Sequence, residues 1–109
     1  MIYVSLSTIP SRIKTINKSI DSLMNQSLKP DKIFLNIPTN FKRFKEIILD
    51  KDIPKLPDIV EINRCDDCGP GTKLLGSINK LKKNSLIVLA DDDQIYEDYM
   101  LETFNKFYQ

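Results

Sequence analysis

The stretch LIVLADDD, residues 86–93, decides the fold that the sequence predicts. Its first part is a continuous apolar run, which suits a central strand of a parallel sheet that is covered on both faces. The run stops at three consecutive acidic residues, Asp91, Asp92 and Asp93. Since adjacent carboxylates repel one another, they need water or a positive charge nearby. We therefore expect this strand to end at a binding site.

The rest of the chain alternates short apolar runs with segments of helical period, an alternation that is typical of βαβ units. The residues that favour strands form four runs, at 2–6, 32–37, 59–63 and 85–90. Pro38 closes the second strand, because proline cannot donate a hydrogen bond to a sheet.

Apolar residues spaced three and four apart predict the helices. The first helix begins near Ser11 and ends near Ser27, a weaker one covers residues 41–49, the third begins at about Thr72, and the last lies within 96–108. Apart from the weaker helix, each has an apolar face expected to pack inward: Ile13, Ile16, Ile20, Leu23 and Met24; then Leu74, Leu75, Ile78 and Leu81; then Met100, Leu101, Phe104, Phe107 and Tyr108.

A chain of 109 residues suffices for one domain, so we treat residues 1–109 as a single unit. Right-handed crossovers predict a doubly wound, Rossmann-like α/β fold with a mainly parallel sheet, the strand order 3-2-1-4 and helices on both faces. In that order, the loops after the first and fourth strands, residues 7–12 and 91–96, face each other across the crevice where ligands bind.

Composition excludes several classes of protein. The formal net charge of +1 does not favour nucleic-acid binding. No apolar run approaches the roughly 20 residues that cross a bilayer, and the first residues lack the pattern of a secretory signal, so we expect a soluble, cytoplasmic protein.

Cys65 and Cys68 have no second cysteine pair and no histidine with which to hold zinc. They are interpreted as ordinary thiols in a loop, with a local disulfide or a redox switch as alternatives.

The aspartates favour a metal site. In extended backbone, Asp91 and Asp93 point the same way and could reach one ion, while Asp92 points oppositely. A hard divalent cation held by one or two carboxylates, with phosphate oxygens completing its shell, is typical of a nucleotide diphosphate site. The alternative is that one aspartate caps the last helix and the others are solvated.

Two cations favour a phosphate ligand at the same edge of the sheet. Lys73 follows the turn of Gly69 and Gly71, where free backbone N–H groups and a point charge suit phosphate. Arg12 lies in the loop after the first strand. The alternatives are a plain turn that starts a helix and a solvated arginine.

Three segments, taken in order, resemble the nucleotide-binding half of glycosyltransferases with the GT-A fold, above all family-2-like enzymes. They are STIPSR at 7–12, GPGTKLLGSI at 69–78 and IVLADDDQIY at 87–96. The resemblance implies a D-x-D motif that binds Mn²⁺ or Mg²⁺ together with a nucleotide sugar. UDP is the usual nucleotide of such enzymes, and the sugar passes to a hydroxyl of a glycan or another acceptor.

The resemblance also implies roles for individual residues. Asp93 matches the metal-binding aspartate and Asp91 the first acid of the motif, while Asp92 lies near the ribose or sugar. Lys73 matches a basic residue that contacts the nucleotide or its phosphates. The loop that lines the base and ribose is matched by Thr8, Ile9, Pro10 and Arg12. Asn36 and Pro38 stand where many relatives have an acidic residue that reads the base.

Members of that group continue into a second half with the acceptor site, the general base and a metal-binding histidine. This chain has no histidine and ends at Gln109, so no catalytic base is assigned. Three interpretations stay open: a truncated GT-A-like domain, a fragment and a minimal enzyme. A non-catalytic nucleotide-sugar binding module and a plain structural α/β domain are the rival interpretations. A sheet edge left exposed by a missing half would favour a homo-oligomer.

Overall fold

The computed structural model describes residues 1–108, with the side chains of residues 1–107. This part of the chain forms one sheet of four parallel strands in the order β3-β2-β1-β4. The strands are β1 (Ile2–Ser7), β2 (Lys32–Pro38), β3 (Val60–Cys65) and β4 (Leu86–Leu89), and the helices are α1 (Asn17–Met24), α2 (Thr72–Leu75) and α3 (Met100–Tyr108). The predicted α/β class, the parallel pairing and the order 3-2-1-4 are confirmed. No helix in residues 1–108 has the length and hydropathy needed to cross a membrane.

One face of the sheet carries the apolar core. Side chains alternate between the two faces of a strand, and the register pairs Val4 with Ile33 and with Val88, and Leu6 with Leu35. Helices α1 and α3 cover this face with apolar side chains that are fully buried: Ile20, Leu23 and Leu101.

The opposite face is polar at its centre. Ser5, Asn36 and Asn63 lie there on three neighbouring strands and are 0 to 3% exposed. Asn36 Nδ2 donates hydrogen bonds of 3.1 Å to Ser5 Oγ and to the carbonyl oxygen of Thr72 in α2. Because buried polar groups need partners, this layer fixes α2 on the second face, and the predicted helices on both faces are present.

Close contact between α2 and the sheet depends on a glycine. A Cβ atom at Gly76 would lie 2.7 Å from Asn36 Cγ and 2.8 Å from Asn36 Cβ. Any side chain there would push α2 away from the sheet and strain the hydrogen bonds of Asn36.

The predicted inward face of α2 is wrong. The helix is a single turn followed by a 3-10 turn at Ile78–Lys80, and Leu75 and Ile78 are 51% and 48% exposed. The reason is that the covered part of the sheet is polar, so Thr72 and Ser77 turn inward instead, at 2% and 1% exposure.

The helix predicted at 41–49 is also wrong, because these residues form bends and irregular backbone. A helix of this length is marginal without tertiary support. Here the tertiary contacts favour another conformation: Arg64 Nη1 donates a 2.7 Å hydrogen bond to the carbonyl oxygen of Ile48, and the Phe41 and Phe44 rings pack edge to face with centroids 6.0 Å apart.

Strand β4 is an edge strand and is not covered on both faces, contrary to the prediction. It pairs with β1 alone among the described strands, and Leu89 is 44% exposed. The apolar stripe of α3 is only partly covered, since Leu101 is buried while Phe104 and Phe107 are 45% and 85% exposed.

Candidate functional site

The strand order reverses between β1 and β4, and the loops that follow these strands meet there. A cavity of about 180 Å³ lies at this edge, and the lining includes six of the predicted site residues: Thr8, Ile9, Arg12, Lys73, Asp91 and Asp92. Pro10, the other residue predicted in the loop after β1, is half-buried in that loop but does not line this cavity. Three separate segments of the chain thus meet at the edge of the sheet where the predicted strand order places a ligand site.

Asp92 is the anchor of the site. Its side chain is 5% exposed, and it accepts hydrogen bonds of 2.7 Å from Thr8 Oγ1 and 2.9 Å from Arg12 Nη1. Ser19 Oγ of α1 donates a third bond, of 2.9 Å, to the Asp92 carbonyl oxygen. Both carboxylate oxygens therefore have protein partners, and Asp92 holds the loop after β1 against the end of β4.

The contact with Asp92 also changes the pKa of Arg12. The hydrogen bond to Asp92, and then its negative charge, raise the pKa of Arg12 above its ordinary value. The Arg12 side chain is still 46% exposed. A permanently charged guanidinium with free N–H groups thus faces the cavity, where it can bind an anion.

Asp91 and Asp93 have different surroundings from Asp92. Their side chains are 58% and 49% exposed. Asp91 Oδ1 lies 3.2 Å from Lys73 Nζ, and Asp93 Oδ2 lies 3.8 Å from Arg12 Nη1. Each acid therefore faces a separate cation, and each keeps oxygen atoms that are open to solvent.

The prediction that Asp91 and Asp93 share one metal ion assumed that both lie in extended backbone, but the strand ends before them. Strand β4 ends at Leu89 and a turn includes Asp92 and Asp93, so the common direction of Asp91 and Asp93 stays a prediction. Within residues 1–108, no three side chains of His, Cys, Asp or Glu converge on one point. The donor set nevertheless fits a hard cation, because two accessible carboxylates are what Mg²⁺ often takes from a protein when phosphate supplies further oxygens.

Tyr96 supports the acidic loop and was missed by sequence reasoning. Its hydroxyl accepts a 2.7 Å hydrogen bond from the Asp91 backbone N–H, while its own N–H donates to Ser22 Oγ of α1 at 3.0 Å. Burial is the main cause that raises the pKa of Tyr96, so the hydroxyl stays protonated near neutral pH. The tyrosine five residues after an acid was visible in the sequence, but nothing there indicated the contact.

Asn36 lies away from the cavity. Its side chain is 0% exposed, and its Oδ1 accepts hydrogen bonds from Ser77 Oγ at 2.7 Å and Asn63 Nδ2 at 3.1 Å. All of its polar atoms serve the layer beneath α2. Its structural role is therefore to position α2, and contact with a ligand would require that layer to open.

A second, larger cavity adjoins the first. It has a volume of about 380 Å³ and shares Thr8, Ile9 and Arg12 with the smaller one. Its other side is lined by Pro38 and by the segment after β2, including the Phe41 and Phe44 rings. The Arg43 guanidinium lies 5.4 Å from the centroid of the Phe44 ring. The cavity thus combines aromatic surface with positive charge.

Asp67 lines this larger cavity. Its carboxylate accepts 2.8 Å hydrogen bonds from the backbone N–H groups of Lys42 and Gly69, and these bonds lower the pKa of Asp67. The carboxylate thereby joins the loop after β2 to the loop after β3. Sequence reasoning missed this cavity because it placed residues 41–49 in a helix, although the interleaved aromatic and basic residues of FKRF were visible.

Cys65 and Cys68 are free thiols, but only Cys68 lies in the predicted loop, because Cys65 is the last residue of β3. Burial raises the pKa of the Cys65 thiol, so its reactive thiolate is disfavoured. The backbone N–H of Cys68 donates a 2.8 Å hydrogen bond to Thr72 Oγ1 at the start of α2. The interpretation as ordinary thiols, with a local disulfide or a redox switch as alternatives, stays a prediction.

No family model and no curated protein matches the chain. The functional argument therefore rests on the residues at this edge of the sheet.

Proposed function

We propose that the chain binds a nucleoside-diphosphate sugar in the two joined cavities and is the donor domain of a metal-dependent glycosyltransferase with a Rossmann-like, GT-A-like fold. The observation that carries the proposal is the meeting of Arg12, Lys73, Asp91 and Asp93 at the point where the strand order reverses. Ligands of parallel α/β sheets bind at such points.

The shapes and charges of the two cavities support a nucleotide rather than an isolated phosphate. The larger cavity offers the Phe41 and Phe44 rings, on which a planar base can stack. The smaller cavity has the cations Arg12 and Lys73, which suit a diphosphate. A nucleoside diphosphate would therefore lie with its base between the loops after β2 and β3, and its phosphates beside the end of β4. UDP is the nucleotide that we propose.

Asp91 and Asp93 are the residues that would hold a Mn²⁺ or Mg²⁺ ion. Such an ion supplies positive charge that offsets the charge gathering on the departing diphosphate. Arg12 and Lys73 would add to this effect from fixed positions, because Asp92 and Asp91 already orient their side chains. Asp92 itself acts through Arg12 and Thr8 as a positioning residue.

Transfer to an acceptor requires a base within hydrogen-bond reach of the acceptor hydroxyl. Asp92, the most buried acid of the site, has both oxygens engaged by Thr8 and Arg12, so its carboxylate positions those side chains rather than contacting an acceptor hydroxyl. This observation favours a second candidate function, a binding module that holds a nucleotide sugar without transferring it. Glu97 and Asp98 are exposed acids in the segment before α3, and no catalytic role is assigned to them.

Calorimetric titration with UDP tests the proposal, with and without Mn²⁺. Binding that needs Mn²⁺ and is lost in Asp93→Ala supports the donor site. Asp58→Ala is the matched control, because Asp58 is exposed just before β3, at the opposite edge of the sheet. Absence of UDP binding by the wild type would contradict the proposal. Hydrolysis or transfer of sugar from a UDP-sugar then separates a transferase from a binding module.

A further inference from the structure

Among the described residues, no strand pairs with the outer side of β4. On the inner side, the N–H groups of Leu86 and Ala90 donate to the carbonyl oxygens of Met1 and Ser5 at 2.9 and 3.0 Å. Since N–H and C=O groups of successive residues point to opposite sides of a strand, those of Ile87 and Leu89 face away from β1. Such an edge is a template for pairing with another strand.

An apolar surface continues from this edge onto α3. A groove of about 370 Å³ is lined by residues 86–89 together with Phe104 and Phe107. On α3, Phe104 is 45% exposed and Phe107 is 85% exposed, while Leu89, whose side chain lies on the other face of the sheet with Ser5, is 44% exposed at the edge. Because Phe104 and Phe107 are three residues apart on one helix, they share a face. A contiguous apolar patch of this kind marks an interaction surface.

Charges on either side of β4 indicate what pairs with it. Lys82 and Lys83 precede the strand, Asp91 and Asp93 follow it, and all four are exposed. If two copies of the strand pair in antiparallel fashion, the lysines of each copy lie beside the aspartates of the other. Parallel pairing would place like charges together, which costs free energy.

We propose that a second copy of this chain pairs antiparallel with β4 across a two-fold axis near Val88. Outward-facing residues must bond to outward-facing residues, so Ile87 of one copy can lie opposite Leu89 or Ile87 of the other. The register that joins Ile87 to Leu89 is favoured, because it buries both apolar side chains, whereas the other places Leu89 opposite Ser85. The result is one continuous sheet through both copies, with a self-complementary interface.

This register also places the segment with Lys82 and Lys83 in each copy beside the acidic loop of the other, at the mouth of the candidate site. The second copy would then add a cation beside the acidic loop. The dimer itself does not depend on nucleotide binding, so its failure and the failure of the proposed function are separate results.

Sedimentation equilibrium of the full 109-residue chain tests the interface. We expect a dimer for the wild type and a dissociation constant raised by at least about tenfold in Leu89→Lys, because a lysine on an edge strand opposes pairing. Ile62→Lys is the matched control: Ile62 is 40% exposed on β3, the other edge strand, and its change should leave the dimer intact. Circular dichroism checks that both variants fold.

The charge argument has its own test. The double variant Lys82→Glu, Lys83→Glu should weaken the dimer, whereas Lys51→Glu, Lys55→Glu, which changes two exposed lysines elsewhere, should not. Added salt should weaken the wild-type dimer by screening. The proposal would be overturned if the wild type stays monomeric. It would also be overturned if the dimer is unaffected by Leu89→Lys or by the Lys82 and Lys83 changes, or if Ile62→Lys weakens the dimer as much as Leu89→Lys does.

Discussion

Arg12 donates a 2.9 Å hydrogen bond from Nη1 to Oδ1 of Asp92, although the two residues are 80 positions apart in the chain. The contact joins the first crossover to the end of the last strand. Since Thr8 binds the other oxygen of the same carboxylate, one buried acid fixes the relative position of the two loops that form the candidate site.

Asp92→Ala should therefore destabilise the protein. The change leaves the buried Thr8 hydroxyl and the Arg12 guanidinium without their acceptor, and hydrogen bonds to a charged group contribute about 1.5–3 kcal/mol each. Because Arg12 is 46% exposed and regains water, we expect a total loss of roughly 2–3 kcal/mol of unfolding free energy. Urea denaturation measures it. Asp93→Ala, at a half-exposed neighbour, should change stability by less than about 0.5 kcal/mol, and equal losses in both variants would contradict the anchoring role of Asp92.

Gly76→Ala tests the packing of α2 on the polar layer. A Cβ atom would lie 2.7 Å from Asn36 Cγ, and Asn36 cannot move without breaking its hydrogen bonds, so we expect a loss of roughly 1–3 kcal/mol. Gly71→Ala is the control, because its Cβ would meet only the flexible tip of Leu75, at 3.3 Å. Thermal unfolding should show a clearly lower melting temperature for Gly76→Ala alone. If both variants melt alike, the close approach to Asn36 does not limit packing.

The polar layer explains where sequence reasoning stopped. The strands were predictable from their short apolar runs, and the strand order from the right-handed crossovers of a doubly wound sheet. The hydrogen-bonded group of Ser5, Asn36 and Asn63 was not, since its members lie on three strands and only the register brings them together. Apolar periodicity therefore predicted an inward face of leucines for α2, whereas the structure requires hydroxyls and a glycine there.

The candidate site was likewise predictable from the sequence only in part. Strand order alone predicted that the loops bearing Arg12 and Asp91 would meet, because carboxyl ends of parallel strands share an edge. Alternation set Asp92 apart from its neighbours in direction, but its burial was not predicted, since β4 ends at Leu89 and the contacts of the turn that follows bury it. The aromatic cavity was missed because the contacts of Phe41, Ile48 and Arg64 override a local helical pattern.

Asp67 should make stability depend on pH in the acid range. Backbone N–H groups of Lys42 and Gly69 lower the pKa of its folded form below the ordinary 3.8, so the ionised carboxylate stabilises the fold. That contribution is fully present above about pH 3.8 and is lost as the pH falls through the lower pKa of the folded carboxyl. The free energy of unfolding, measured against pH for the wild type and Asp67→Asn, should differ at pH 6 and converge toward about pH 2. A difference that stays constant over this range would show that ionisation of Asp67 plays no part.

Phe44→Ala tests the aromatic cavity as the base subsite. Loss of a stacking ring costs about 1–3 kcal/mol per base, so the dissociation constant for UDP should rise about 5- to 150-fold, while that for inorganic pyrophosphate should not change. Calorimetric titration with both ligands in the presence of Mn²⁺ makes the comparison. Ile47→Ala is the control, because Ile47 is 46% exposed and lies outside the lining of the cavity. Equal weakening of UDP and pyrophosphate would mean that Phe44 supports the loop rather than the base, and the base would then have to bind elsewhere along the edge of the sheet.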